Sequence, residues 1–303
     1  MSVAYAYPRL SGFDCYFFRL LGVGLGNLLF PWARAAVASR DHGFIRIQPT
    51  WPQFKPRTFL RAQSDPRLYA GLFKADHDEV AGVARLRALV CGPRVDERAP
   101  VEAVRGGTVV TFTGVGDLFG SFLTEHEFVA SKLMRIVRPE HLRTLDQSLA
   151  RSVAVHVRLG DFTTRTEPPF PTPIEWYARS IHKVREVVGS DAPFLLFSDD
   201  SDEALRSITS IPGVRRAGFG SAISDLIAMS RTAALIGAAG STFGMWASYL
   251  GRMPALWTSG PEMPAWQQNP YYDDPERELR LGVRDALSPA FADRLTARAR
   301  AVA

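Results

Sequence analysis

Three stretches of this 303-residue chain repeat one pattern: a short apolar run, a turn of small residues, then residues that stripe one face of a helix. The first runs CYFFRLL (15–21), GVGLGN (22–27) and LLFPWARAAVAS (28–39), with Pro31 expected in the first helical turn, where its missing N–H lacks a partner anyway. The second runs PFLLF (193–197), SDDSDE (198–203) and a short helix from about Ala204. The third runs AALIGAA (233–239), GSTF (240–243) and GMWASYL (244–250), with Gly251 in the C′ position that glycine favours. Strands alternating with helices indicate a parallel sheet, so the pattern predicts an α/β fold. Residues 121–152 read as helical with a break at Pro139, a bridge between two α/β halves. The expected division is an N-terminal α/β domain over 1–150, carrying the glycine loop 22–27, and a C-terminal domain over 151–303. A closing helix begins near Pro289, and 163–173 and 259–275 read as Pro-rich loops.

Composition narrows the function classes. With 36 basic and 31 acidic residues the net charge is +5, yet only four are lysines and the arginines are scattered. Nucleic-acid binding needs a clustered basic patch, so none is expected; a modest attraction to anionic substrates fits. Cys15 and Cys91 are too few for a disulfide framework and lack metal-ligand spacing. Asp14 and Arg19 interrupt the apolar N-terminal stretch, and no apolar run reaches the ~18 residues of a membrane span. A cytoplasmic location is expected, with peripheral association as the one membrane link.

The stretch VAVHVRLGDF (153–162) carries the chemistry. Side chains alternate along a strand, so Val153, Val155 and Val157 face one way and Ala154, His156 and Arg158 the other. Ligands of parallel α/β sheets bind beyond the carboxyl ends of strands, where the forked guanidinium of Arg158 suits phosphate. A second reading stays open, in which Arg158 pairs with Asp161 to pin a turn and His156 is a satisfied core imidazole. Ser241 or Thr242 can cap the following helix, whose outward amides also make an anion site. Asp200 and Glu203 fit a capping box, leaving Asp199 to accept hydrogen bonds from a base or ribose. Together these features suggest a nucleoside diphosphate. No GxxxxGK[ST] motif occurs, which disfavours ATP-dependent phosphoryl transfer, and no acidic pair stands clear of capping, so no metal is required.

Taken in order, GLGNLLFPWA (24–33), HVRLGD (156–161), FSDD (197–200) and DLIAMSRTAALIGAAGSTFGMWASYLG (225–251) resemble the motifs of the α-1,2-fucosyltransferases of glycosyltransferase family 11, within the wider GDP-fucose-dependent group that shares HxRxxD. The resemblance implies a GT-B architecture, two Rossmann-like domains facing a cleft, with GDP-fucose held mainly by the C-terminal one. It implies inverting transfer of L-fucose to a glycan hydroxyl, an α-1,2 linkage to galactose, with no cofactor and no metal. Arg158 would then hold the pyrophosphate, His156 would line the nucleotide pocket, and Asp199 would accept from the guanine edge. Ser241, Thr242 and Phe243 would present donors to the phosphates. Gly24, Gly26 and Asn27 would approach the sugar from the N-terminal, acceptor-side domain. Glu167 is the candidate general base, with Asn27 and Asp161 as others, Asp161 having the more structural role.

Three positions depart from the family pattern: Leu159 replaces the second Arg of HxRRGD, Leu28 the Gln of GNQ, and Met245 the first Trp of WW. Three alternatives stand beside the resemblance. One is a GT-B transferase using another GDP-sugar, and a second is a non-catalytic sugar-nucleotide-binding relative. The third is a nicotinamide-dependent oxidoreductase reading GVGLGN as its fingerprint, which lacks the acidic strand-end residue and gives HVRLGD no role. The acceptor has no motif; Trp176, Trp266, Tyr271 and Tyr272 are candidate stacking faces.

Overall fold

Ala6 and Tyr7 are chain neighbours that belong to different cores, as a strand covered on both faces requires. They lie in the first strand of a computed structural model that describes residues 3–54, 68–159, 172–238, 240–259 and 277–301 and divides into two units, 1–140 and 141–303. In the N-terminal unit the strands are β1 (Tyr5–Arg9), β2 (Phe13–Asp14), β3 (Arg19–Leu20), β4 (Ile45–Ile47), β5 (Gln53–Phe54), β6 (Glu79–Val80), β7 (Arg94–Asp96) and β8 (Val109–Thr113). A five-stranded sheet of order β6-β4-β1-β8-β7 is parallel throughout. Helix α1 (Leu25–His42) gives Ala35 to one face, where it meets Ala6, Val110 and Phe112. Helix α2 (Gly82–Cys91) gives Ala88 and Leu89 to the other, against Tyr7, Ile47 and Val109. Helix α3 (His126–Ile136) follows a 3-10 turn over Gly120–Glu125.

The first repeat differs from its sequence reading. The strand that enters the main sheet is β1, not 15–21, where Arg19–Leu20 pairs only within the small sheet β2-β3-β5. Asp14 accepts from the Tyr16 amide at 2.7 Å and Tyr16 takes φ +70°, so the apolar run CYFF is a turn, with Phe17 and Phe18 exposed. Arg19 is fully buried and donates to the carbonyls of Ser11, Thr50 and Trp51. Helix α1 starts at Leu25, so Pro31 is interior; its ring removes the N–H that would reach the Asn27 carbonyl. The helix closes on Gly43 at φ +68°.

The C-terminal unit holds β9 (Val153–His156), β10 (Phe194–Phe197), β11 (Val214–Arg216), β12 (Ala234–Gly237), β13 (Ala255–Thr258) and β14 (Glu278–Leu281) in one parallel sheet of order β11-β10-β9-β12-β13-β14. Counted along the chain this is 3-2-1-4-5-6, the dinucleotide-fold order, whose direction reverses between β9 and β12. Its helices are α4 (Ile174–Val188), α5 (Asp202–Thr209), α6 (Ala222–Ser230), α7 (Thr242–Gly251) and α8 (Pro289–Ala301). Val153, Val155 and Val157 share one core with Trp176 and Ile181 of α4, Leu205 of α5 and Phe291 of α8. Helix α7 ends on Arg252 in the left-handed region, so Gly251 is its last residue and not C′. Gly251 serves close approach instead: a Cβ there would overlap the Ser230 carbonyl at the end of α6.

Candidate active site

The switch point sets the site. In register across the sheet stand Phe197, His156, Gly237 and Trp257, at the carboxyl ends of β10, β9, β12 and β13. Such a row lies at the mouth of the crevice where open α/β sheets bind ligands. Arg158 follows β9 by two residues, one-fifth exposed, and its Nη1 lies 3.5 Å from Asp199 Oδ2 beyond β10. Asp199 is thus an ionic partner of Arg158; Asp161 and Glu167 lie outside the described residues, as do Trp266, Tyr271 and Tyr272.

His156 is buried, with its ring 5.6 Å from that of Phe243 in the first turn of α7. Its Nδ1 has no hydrogen-bond partner among the described residues and faces Gly244, where a Cβ would sit 3.0 Å away. Burial, and after it the Arg158 charge, pushes this imidazole down to about 4, so it is neutral at physiological pH. The sign follows from linkage: the unfolded chain, titrating near 6.5, binds the extra proton first. Stability is thus full above pH 6.5 and falls by roughly 3 kcal/mol toward pH 4. Urea unfolding between pH 7.5 and 4.5 should show this slope in the wild type and lose most of it in His156→Gln; parallel slopes would count against it.

Ser241 is the buried N-cap of α7, yet its hydroxyl makes no cap bond, so the side-chain capping expected there is absent. Thr242 and Phe243 are half-buried in the first turn, and no acidic side chain occupies it. An uncapped helix start beside an arginine favours an anion. Across the sheet, Ser201 and not Asp200 caps α5, its hydroxyl accepting from the Ala204 amide at 3.3 Å. Asp200 instead accepts from the Leu159 amide at 3.0 Å and from Ser198 Oγ at 3.0 Å, tying the segment after β9 to the end of β10. Sequence reading missed this role because the bond spans 41 positions. Leu159 itself packs against the valine core, on the side away from Arg158. Leu28 and Met245 are likewise buried. Trp176 is not a stacking face: it is fully buried and donates to the Leu281 carbonyl at 2.7 Å.

In the N-terminal unit, Gly24 precedes α1 with open space where a Cβ would stand, Gly26 is buried, and Asn27 is half-buried in the first turn. The Leu25 amide donates to Tyr69 Oη at 2.9 Å, which fixes the loop against the helix start. Among the described residues, one group of carboxylates and imidazole, Asp76, His77 and Asp78, is close enough to share an ion. Its carboxylates are already engaged by Arg46, Lys132 and Arg135. No helix among the described residues is long and apolar enough to cross a membrane.

Two parallel α/β units, the second in dinucleotide-fold order with an anion-ready switch point, give the chain a fold of the GT-B type. Residues 114–260 match the model of glycosyl transferase family 11, which bears out the family resemblance over the stretch that holds the motifs at 156–161, 197–200 and 225–251. The fold is similar to that of NodZ α-1,6-fucosyltransferase co-crystallized with GDP, at 15% identity and TM-score 0.56 over 87% of this chain and 97% of that one. NodZ from Bradyrhizobium also appears in a structure matched at 14% identity and TM-score 0.52, over 84% and 95%. An Arabidopsis thaliana FUT1 mutant in complex with GDP is similar at 14% identity and TM-score 0.52, over 86% of this chain and 71% of that one. No curated protein matches the chain.

Proposed function

We propose that this chain is an inverting fucosyltransferase that moves L-fucose from GDP-fucose to a galactose hydroxyl of a glycan, forming an α-1,2 linkage without a metal or cofactor. The observation that carries the reading is Arg158 at the switch point beside the uncapped start of α7, within the region matched by family 11. Arg158 and the amides of Thr242 and Phe243 take the pyrophosphate, with the Ser241 and Thr242 hydroxyls beside them. His156 lines the nucleotide pocket as a neutral group. The 3.5 Å Arg158–Asp199 pair is longer than the ~2.7–2.9 Å of a tight charge-assisted bond. Donor binding exchanges it: phosphate takes the guanidinium, and Asp199 turns to the guanine edge. Gly24, Gly26 and Asn27 are assigned to the sugar end of the donor.

In the reaction the acceptor oxygen forms the bond to the fucose anomeric carbon as the bond to the β-phosphate oxygen breaks. The electron pair leaves with GDP, and the acceptor proton passes to a carboxylate base, for which Glu167 is the first candidate and Asp161 the other, while Asn27 can orient the acceptor hydroxyl by a hydrogen bond. Charge grows on the leaving diphosphate, where preorganised donors contribute most. The enzyme is placed in the cytoplasm, acting on a bacterial surface glycan or secreted oligosaccharide, with peripheral membrane association.

Calorimetric titration of GDP, GDP-fucose, GDP-mannose and NAD without metal tests the donor, and incubation with lactose followed by NMR of the product tests the linkage. GDP-fucose should bind best and yield an α-1,2 product. NAD binding without GDP binding would overturn the reading, preference for GDP-mannose would overturn the sugar, and another linkage would overturn the α-1,2 assignment alone.

A further inference from the structure

Glu278, on the edge strand β14, is a buried carboxylate that the donor reading leaves without a role; its side chain is 7% exposed. Its Oε2 accepts from Trp257 Nε1 at 3.0 Å, and its Oε1 accepts from Ser248 Oγ, in the middle of α7, at 2.6 Å. Arg277 Nη1 lies 3.3 Å from Oε1 and donates to the same Ser248 hydroxyl at 3.0 Å. One carboxylate therefore joins β13 to helix α7.

What lies on the far side of Trp257 gives the junction its meaning. The Trp257 ring covers Gly237, where any Cβ would overlap it, and reaches Gly244, where a Cβ would lie 3.4 Å from the ring. Gly244 in turn faces His156 Nδ1. Glu278, Trp257, Gly244 and His156 thus form one packed line from the sheet edge to the switch point, with the first turn of α7 resting on the indole. An indole held at its N–H cannot slide along the glycines, so the height of α7 above β9 and β12 depends on that bond. Burial pushes the Glu278 carboxyl up to about 7, against the opposing pull of Arg277, the Ser248 and Trp257 hydrogen bonds and Arg280.

We propose that Glu278 is a positioning residue for the donor site: by holding Trp257 and Ser248 it fixes the first turn of α7 beside His156, where the pyrophosphate binds. The inference rests on the GDP-fucose reading above. E278Q keeps the shape but exchanges an acceptor oxygen for an amide group, and W257F keeps a ring but removes the donor N–H. Each should weaken GDP-fucose binding about tenfold, the scale of one hydrogen bond to a charged group. Because both cut one line of contact, the double variant should be no weaker than about the worse single variant.

Calorimetry with GDP-fucose at 10 °C, with thermal midpoints measured alongside, decides the matter. W257F reads the same link if E278Q fails to fold. Folded variants that bind GDP-fucose within about twofold of the wild type would overturn the positioning role and leave the donor reading intact. Fully additive losses would also overturn it, since they indicate independent general damage. Failure of the wild type to bind GDP-fucose would remove the donor reading, and this inference with it.

Discussion

Arg158→Ala should lower kcat/KM for fucosyl transfer by ~10²–10³ and abolish measurable GDP binding in calorimetry, the loss typical of one preorganised donor to developing charge. Two observations set this scale. Arg158 is four-fifths buried, so water does not replace its fork of donors cheaply, and it stands at the carboxyl end of the central strand β9. Its described ionic partner, Asp199, lies 3.5 Å away and is more exposed than Arg158 itself. Arg158→Lys keeps the charge and loses the planar fork, and should fall between the wild type and alanine. A loss below about tenfold in Arg158→Ala would move the burden to the α7 amides.

The parts of this site that sequence makes legible are those written in a single local pattern. Strands β9, β10 and β12 are short apolar runs, and the alternation of Val153, Val155 and Val157 against His156 and Arg158 is a property of any strand. Strand β1 is harder, because YAYPR contains a proline. Pro8 is tolerated because β4 pairs only as far as Ala6, so one side of the strand is already without a ladder at that point. Its neighbour CYFF has the composition of a strand and the geometry of a turn, since nothing in an apolar run says whether its side chains find a core. Bonds between distant positions are invisible for a different reason. Asp200 with Leu159, and Glu278 with Trp257 and Ser248, are set by the strand order 3-2-1-4-5-6, which brings together residues that no local period connects.

Asp76→Ala should cost the N-terminal unit roughly 3 kcal/mol, because it takes from Arg46 and Lys132 their most buried ionic partner. The Asp76 side chain is 1% exposed and accepts from Arg46 at 2.7 Å, Lys132 at 3.2 Å and Arg135 at 3.0 Å, with His77 Nδ1 at 2.8 Å. Arg46 comes from β4, Lys132 and Arg135 from α3, so one carboxylate fastens the helix to the sheet. Burial alone would raise its pKa; the bonds from His77, Arg46 and Lys132 more than offset that and hold it well below the usual carboxylate range. Asp78 also pairs with Arg46 and Lys132, but it is nearly half exposed, and Glu79 stands 3.6 Å from Arg46, so they offset only part of the loss. Because the folded pKa is depressed, this stabilisation is complete above the ordinary Asp value near 3.9 and is lost only as pH falls beneath it. Urea unfolding at pH 7 should therefore show the full deficit, and Asp76→Asn, which keeps the shape and one acceptor, a smaller one. A deficit below about 1 kcal/mol in Asp76→Ala would mean that Asp78 alone satisfies Arg46 and Lys132, and that packing rather than the Asp76 charge holds α3 to the sheet.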